Sequence, residues 1–361
     1  MDFMAAEDSV LYLPESGDKP KILVYHQACI GDMLMAIPAF QAIRAAFPQA
    51  VIDLFCVSGV PGSIQIQLIE PLHLFDHIRT IETFGSFTRR IIPRLRIVHS
   101  MMNCKYDNVF MVTFTPKWYE YFFFQHAGVK NLFSLPLWSR RKGMKRANDI
   151  LLDSLEREGI PCGKFRGIPN LMFAKEEERS GEALFNSLPI PPGKIPFVTC
   201  IGGRKTSCRF PLSRYLPLLN KLIPEFELFP VFLCGKDDRA MTESFIRELG
   251  TGCLLSADER LPLRTLICAL RHFRFYLGND TGPIHLAAAG GIPCIGIYGG
   301  QGCGNFFHPM GEGHIILQAH VPCSGCNLQT CTRAKEPPCI QQIKDEDIFQ
   351  AVADLLHREK G

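Results

Sequence analysis

The sequence predicts an α/β fold with mainly parallel sheets, divided into two domains. Short apolar runs alternate with segments of helical periodicity along most of the 361 residues, which is the pattern of β-α-β units. The chain is about twice as long as a typical domain. Hydrophobic residues make up 47% and charged residues 21% of the chain, so each domain can bury a core of its own.

The first series of elements opens with a β-α-β unit. Residues 22–25 form a short apolar strand, and the helical pattern that follows ends at Pro48. Residues 51–56 supply the next strand, which completes a unit of the usual length of roughly 30 residues. Further strands are predicted at residues 108–114 and near Leu132.

A second series of strands is predicted at residues 197–201, 228–234, 273–277 and 294–298. Between the two series, the charged run 174–181 predicts a solvated helix, and the prolines of 189–193 indicate a boundary. We therefore expect an N-terminal domain over 1–185 and a C-terminal domain over 186–344. Residues 345–361 should form an amphipathic helix, which is a candidate to pack back on the first domain.

Composition excludes several classes of protein. A net charge of +3 is too small to indicate a nucleic-acid partner. The first 20 residues are acidic and lack the basic start and apolar run of a secretory signal. The apolar stretches are too short to span a bilayer. We expect a cytoplasmic protein whose 15 cysteines are mostly reduced thiols in the core.

The first motif, Gly31-Asp32, follows the first strand and opens a helix. Gly31 permits a tight turn, so that Asp32 lies at a helix N-terminus near the carboxyl end of the strand. Asp32 can be a helix cap, because aspartate is favoured there and the helix dipole stabilises its carboxylate. It can also be a catalytic carboxylate, and spacing alone leaves both roles open.

The second motif, residues 278–291, runs from a strand end into a helix. Thr281 and Gly282 open this helix, and His285 lies on its first turn. Free N–H groups at a helix start, beside a hydroxyl and an imidazole, predict a diphosphate site. The alternative is an ordinary turn with a structural histidine. Because Asp280 also lies within the same turn, the anion site is the favoured interpretation.

Together the two motifs resemble glycosyltransferase family nine, the heptosyltransferases that build the inner core of lipopolysaccharide. Gly31, Asp32 and Pro38 match the family's Gly-Asp and internal helix proline, and residues 280–287 match its Asp-Thr-Gly-x-x-His-Leu-Ala signature without a gap. The resemblance covers roughly residues 21–358. It implies the GT-B architecture of two Rossmann-like lobes that face a central cleft, with the active site in that cleft.

The resemblance implies a role for each matched residue. Asp32 becomes the general base, the N-terminal lobe binds the acceptor, and the C-terminal lobe binds a nucleotide sugar. The donor-binding residues that it implies are Gly202, Gly203, Arg209, Gly235, Asp280, Thr281, Gly282 and His285. Asp237 and Asp238 remain alternatives for the ribose contact. The chain departs from the family at Phe210, where a tryptophan is usual, and at His26, where an arginine is common.

The implied activity is an inverting transfer of heptose from ADP-heptose to a lipopolysaccharide core acceptor. A carboxylate takes the proton of the attacking hydroxyl, and the helix start with His285 and Arg209 stabilises the leaving diphosphate. No cofactor is required for this chemistry. The alternatives are the same fold with another nucleotide sugar, a sugar-nucleotide epimerase, and a non-catalytic scaffold organised by cysteines.

Two basic clusters occupy the first domain. They comprise Arg89, Arg90, Arg94 and Arg96, and then Arg140, Arg141, Lys142, Lys145 and Arg146. A solvated face is one interpretation. The other is a site for an anionic glycolipid acceptor, for which Arg140, Arg141 and Lys142 are the candidates. The aromatic segment 118–124 between them predicts core packing or an edge in peripheral contact with the inner membrane.

Four cysteines lie close together near the C-terminus: Cys323, Cys326, Cys331 and Cys339. Such a group is a candidate for structural zinc or iron, but only the first pair has standard ligand spacing. Reduced thiols and partial disulfides remain the alternatives.

Overall fold

The computed structural model describes residues 19–82, 105–114, 120, 124, 129, 131–134, 145–257, 261–299, 306–326, 328, 330–334 and 336–358. The chain folds as two compact units, and the boundary among these residues lies between 171 and 172. Within the described ranges, no helix combines the length and the apolar composition needed to cross a membrane.

Unit 1 is built on a five-stranded parallel sheet in the order β3-β2-β1-β4-β5. Its strands are β1 Lys21–Ala28, β2 Val51–Ser58, β3 His77–Glu82, β4 Asn108–Met111 and β5 Asn131–Ser134. Its helices are α1 Ile30–Ala46 and α2 Ala147–Arg157. The chain leaves β1 toward β2 on one side and reaches β4 on the other, so the carboxyl end of β1 is a topological switch point, where α/β sheets bind ligands.

Unit 2 is built on a six-stranded parallel sheet in the order β11-β10-β9-β6-β7-β8. Its strands are β6 Ile195–Cys200, β7 Leu228–Cys234, β8 Cys253–Ser256, β9 Tyr276–Asn279, β10 Cys294–Tyr298 and β11 Ile315–Gln318. Its helices are α3 Lys175–Asn186, α4 Leu212–Glu225, α5 Arg239–Leu249, α6 Leu263–Leu270, α7 Gly282–Ala289, α8 Pro338–Gln341 and α9 Asp345–His357. The switch point lies between β6 and β9, so the loops after these two strands flank the crevice.

Helix α3 belongs to unit 2, which corrects the predicted boundary at 185/186. A Cβ at Gly181 would lie 2.4 Å from the Cβ of Cys268, so α3 and α6 are in direct backbone contact. Arg264 is 3% exposed and donates to Glu177 at 2.6 Å, while its guanidinium lies 4.9 Å from the ring centre of Phe173. The charged run predicts the helix correctly, but its glycine-bearing face is docked rather than solvated.

Helix α9 also packs within unit 2. Ile348, Val352 and Leu355 join the hydrophobic core beneath the six-stranded sheet. Arg214 of α4 donates to Asp345 at 3.0 Å and to the Ile343 carbonyl at 2.5 Å. The amphipathic pattern predicts the helix, but such a pattern does not specify which apolar surface receives it.

Candidate active site

Asp32 lies on the first turn of α1, at the switch point of unit 1. The helix begins at Ile30 with Cys29 as its N-cap, and Asp32 Oδ2 accepts the N–H of Cys29 at 2.9 Å. The predicted placement therefore needs correction, because Asp32 caps the helix from its third position and Gly31 is a buried helical residue. The half-buried carboxylate is stabilised as an anion by the helix dipole.

His26 occupies the position at which an arginine is common in the family that the sequence resembles. The side chain is 0% exposed, and its Nδ1–H donates to the carbonyl of Val112. The rings of Phe40 and Phe114 approach it edge-on, with centroids at 5.3 and 6.3 Å. Burial lowers the pKa of His26 to about 4, against the raising effect of the Val112 hydrogen bond. The imidazole is therefore neutral at neutral pH.

The carboxyl ends of β1 and β4 carry buried polar atoms that lack hydrogen-bond partners in the described part of the chain. They are His26 Nε2, Gln27 Oε1 and Thr113 Oγ1. Because His26 uses its ring hydrogen at Nδ1, its Nε2 is an acceptor, as is the amide oxygen of Gln27. These groups can receive hydrogen bonds from hydroxyl groups without adding charge beside Asp32.

In unit 2, the side chain of Asn279 forms hydrogen bonds with both ends of the loop between β6 and α4, residues 201–211. This amide at the end of β9 is 1% exposed. Its Nδ2 donates to the carbonyls of Ile201 and Gly202, both at 3.1 Å. Its Oδ1 accepts the N–H of Phe210 at 2.9 Å. The sequence analysis assigns no role to Asn279. The available signal is a polar residue at the end of an apolar strand in the motif.

Asp238, at the N-cap of α5, holds the middle of the β6–α4 loop. Its Oδ2 accepts the N–H of Gly203 at 3.0 Å, and its Oδ1 accepts from Arg209 Nη2 at 3.1 Å. Arg209 also donates from Nε to the Gly203 carbonyl at 2.7 Å. Asp238 is thus engaged within the protein, whereas Asp237, the alternative for a ribose contact, is exposed.

The two glycines of the loop are required because neighbouring side chains leave no room for a Cβ at either position. A Cβ at Gly202 would lie 2.2 Å from Asp238 Oδ2. Gly203 has a φ of +140°, and a Cβ there would lie 2.5 Å from Thr281 Cγ2. The structure therefore brings the β6–α4 loop against the start of α7. Gly235 differs, because its φ is −87° and a Cβ there would meet nothing within 4 Å, so the protein itself does not require glycine at that turn.

Thr281 is the N-cap of α7, and the N–H of Asp280 donates to the Ile297 carbonyl at 3.1 Å. The helix start offers fewer N–H groups than the sequence interpretation assumed. Pro283 has no N–H, and the N–H of Ile284 donates to the Thr281 carbonyl at 3.2 Å. Thr281 and Gly282 are therefore the groups of this turn best suited to meet a phosphate.

His285 lies on the same turn and is 6% exposed. Its Nδ1 has no hydrogen-bond partner among the residues that the structure describes, so the interpretation as a satisfied structural histidine does not hold for this atom. Burial, together with the smaller effects of the neighbouring His314 and His308, lowers the pKa of His285 to about 4. At neutral pH the ring can bind an anion as a neutral hydrogen-bond donor.

The four clustered cysteines do not converge. Cys326 is exposed, Cys323 and Cys331 are half-buried, Cys339 is buried, and all are free thiols. Across the described ranges, no three His, Cys, Asp or Glu side chains form a group that could hold a metal ion. Cys339 belongs to the core of unit 2, whereas Cys326 is exposed. This arrangement does not fit the predicted zinc or iron site.

The proposed acceptor cations Arg140, Arg141 and Lys142 lie outside the described residues, as do the cluster at 89–96 and most of the aromatic segment 118–124. Two members of the second cluster are described. Lys145 pairs with Asp153 at 2.6 Å and Arg146 with Asp149 at 3.4 Å. Both pairs involve carboxylates of α2, as expected of a solvated helix face.

Residues 175–336 match the family model described as glycosyltransferase family 9 (heptosyltransferase). Over 309 residues the chain is 23% identical to lipopolysaccharide heptosyltransferase 2 of Escherichia coli (strain K12), covering 77% of this chain and 82% of that protein. The crystal structure of the glycosyl transferase family 9 from Veillonella parvula DSM 2008 matches with a TM-score of 0.72 at 17% identity, covering 96% of this chain and 99% of that one. E. coli ADP-heptose lps heptosyltransferase II matches with a TM-score of 0.64 at 16% identity, covering 94% and 100%. The predicted GT-B fold is confirmed.

Proposed function

We propose that this chain, a glycosyltransferase similar to the heptosyltransferases of family 9, transfers heptose from ADP-heptose to a lipopolysaccharide core acceptor with inversion at the anomeric carbon. The proposed donor and acceptor are those named for two similar proteins, lipopolysaccharide heptosyltransferase 2 of E. coli and the solved structure of E. coli ADP-heptose lps heptosyltransferase II. The reaction takes place in the cytoplasm, at the cytoplasmic face of the inner membrane, and cell fractionation tests that placement.

The observation that carries the proposal is the convergence of Gly203, Arg209 and Thr281 at the switch point of unit 2. Two hydrogen bonds, to Gly203 and Asp238, fix the plane of the Arg209 guanidinium. This fixed cation and the Thr281 hydroxyl stabilise the charge that develops on the leaving diphosphate. Because the Arg209 guanidinium is already held in place, it needs no rearrangement during the reaction. No metal is needed for this step.

Asp32 of unit 1 acts as the general base. The acceptor hydroxyl loses its proton to the Asp32 carboxylate while its oxygen bonds to the anomeric carbon, and the bond from that carbon to the diphosphate oxygen breaks. The neutral acceptor atoms of His26, Gln27 and Thr113 receive other hydroxyls of the acceptor sugar. Their lack of charge favours a polyol over an anionic group at this point.

A panel of nucleotides and nucleotide sugars tests the proposal. Because a ligand that binds only the native state raises its stability, ADP-heptose should raise the unfolding midpoint more than UDP- or GDP-sugars. Transfer to a heptose-free core glycan should give a product of inverted anomeric configuration by NMR. A larger shift with another nucleotide sugar would change the donor. Conversion of the nucleotide sugar without an acceptor would indicate an epimerase.

Replacement of His285 or Thr281 by alanine should weaken binding of ADP by about tenfold, because each loses a hydrogen bond to a charged group. Binding of adenosine should stay within about twofold, since it lacks the phosphates. Calorimetry with both ligands measures the difference. His320→Ala, at an exposed site of unit 2, is the matched control. Equal losses for ADP and adenosine would mean that the two residues support the fold and not the phosphates.

Charge reversal at Arg140, Arg141 and Lys142 should raise the acceptor KM and leave ADP affinity within about twofold, because a loss of uniform binding appears in KM. Transfer by the wild type should also weaken with added salt, since exposed ion pairs are screened over about 8–10 Å. Lys145→Glu is the control, because Lys145 is paired with Asp153. An unchanged KM would leave these cations as a solubility face.

A further inference from the structure

The cysteine-rich segment contacts the β6–α4 loop at two points. Ser207 Oγ donates to the Leu328 carbonyl at 2.6 Å, and Thr206 Oγ1 donates to Thr330 Oγ1 at 3.2 Å. In the sequence, Leu328 and Thr330 lie between the second and third clustered cysteines, Cys326 and Cys331, and the contacts of these two residues are called the contacts of the 326–331 loop below. Although the four thiols do not gather around a metal, the loop between two of them is attached to a defined place in unit 2.

That place is the short 3₁₀ helix Thr206–Cys208, which also lies close to Gly299, the residue after β10. A Cβ at Gly299 would lie 2.9 Å from the Ser207 carbonyl oxygen and 3.3 Å from Cys208 Sγ. Cys208 is buried, and burial raises the pKa of its thiol to about 12, so its role is packing and not reactivity. The 3₁₀ helix therefore contacts both the residue after β10 and the 326–331 loop.

The position of this 3₁₀ helix matters because it lies between Gly203, which contacts the start of α7, and Arg209, the cation proposed to act on the diphosphate. Gly203 precedes it, Arg209 follows it, and the N–H of Arg209 donates to the Thr206 carbonyl at 3.2 Å. Asn279 and Asp238 hold the loop at its ends and at Gly203. The contacts from the 326–331 loop hold the stretch between these anchors. A displacement of the Thr206 backbone would therefore move Arg209 through this hydrogen bond.

We propose that the 326–331 loop is a positioning element for the donor site, and that Thr206 and Ser207 are positioning residues that act through Arg209 and not on the donor itself. The inference rests on the proposed function, because it takes ADP-heptose as the ligand of Arg209. In this role the cysteine-rich segment serves substrate binding without a metal, by fixing the backbone that carries the phosphate-binding cation.

Thr330→Val tests the loop side of the contact, since it replaces the hydroxyl that accepts from Thr206 with a methyl group of similar size. A net hydrogen bond corresponds to roughly a two- to tenfold change in affinity, so the Kd for ADP and the donor KM should rise two- to fivefold, with kcat within about twofold. Ser207→Ala should have the larger effect, up to about tenfold. Thr332→Val, the same change at an exposed position two residues along, should leave all three values unchanged.

Thr206→Val should reproduce the effect of Thr330→Val, and the double variant should lose no more than either single variant, because one hydrogen bond joins the pair. Unfolding midpoints equal to the wild type confirm that the fold is intact. If wild-type protein binds ADP and the Thr330→Val and Ser207→Ala variants bind it equally well, the positioning role is overturned while the proposed function stands. Wild-type protein that fails to bind ADP would overturn the proposed function itself.

Discussion

Asp32→Asn should lower the rate of sugar transfer by at least about 10²-fold, the lower end of the range for a lost general base. The amide oxygen of asparagine can still accept the N–H of Cys29, which now bonds to Asp32 Oδ2 at 2.9 Å, so α1 should keep its cap. Asparagine cannot take the proton of the acceptor hydroxyl. The loss of its interaction with the helix dipole should cost about 0.3–1 kcal/mol of stability. Initial rates at saturating donor and the Kd for ADP separate catalysis from binding.

The control is Asp347→Asn, because Asp347 occupies the same third position of α9 and is exposed. It should show a similar small loss of stability and no loss of transfer. Binding of ADP should be close to wild type in both variants, since donor binding is assigned to unit 2. Turnover near the wild-type rate in Asp32→Asn would leave this residue with the helix-cap role alone.

Asn279→Asp should reduce the free energy of unfolding by about 3 kcal/mol and weaken ADP binding by more than about tenfold. The substitution preserves shape and keeps the oxygen that accepts from Phe210, but it removes the N–H donors to Ile201 and Gly202. A carboxylate oxygen then faces two carbonyl oxygens in a site that is 1% exposed. Burying an unpaired charge against acceptors is costly, and the ends of the β6–α4 loop should separate from β9.

Urea unfolding of the variant and of wild type measures the loss. Because burial should raise the pKa of the introduced carboxyl above its unfolded value, the deficit relative to wild type should shrink as the pH falls toward about 4, where the protonated group can donate to one carbonyl. Asn186→Asp, the same change at an exposed position of α3, should cost little. A stability equal to wild type at neutral pH would show that Asn279 does not hold the loop.

The central strands could be predicted from sequence because both faces are buried. Leu228–Cys234 and Cys294–Tyr298 are continuous apolar runs, and the structure has them with the predicted bounds. The predicted strand at 273–277 instead begins at Tyr276, because the N–H of Phe273 closes the turn after α6 by donating to Leu270. Strand β3, an edge strand with mixed exposure, shows no such run and was not predicted.

The candidate site likewise contains residues whose roles could be predicted from sequence and residues whose roles could not. Asp280, Thr281 and His285 are neighbours in sequence, so one helical turn is enough to predict that they share a site. The roles of Asn279 and Asp238 depend on partners far along the chain, since Asn279 bonds to Gly202 across 77 positions and Asp238 to Gly203 across 35. Local patterns carry no information about such pairs. Asp32 is intermediate, because its helix was predicted but its exact place on the first turn was not.

The docking of α3 on α6 has a consequence for recombining enzymes of this architecture. Arg264 and Glu177 are joined by an ion pair, and Gly181 has no room for a side chain beside Cys268. In a chimera joined after α3, helix α6 would pack against an α3 that comes from another protein. Any residue larger than glycine where the helices cross would push α3 and α6 apart. A chimera between relatives should therefore be joined near residue 172, so that α3 is inherited together with the rest of unit 2.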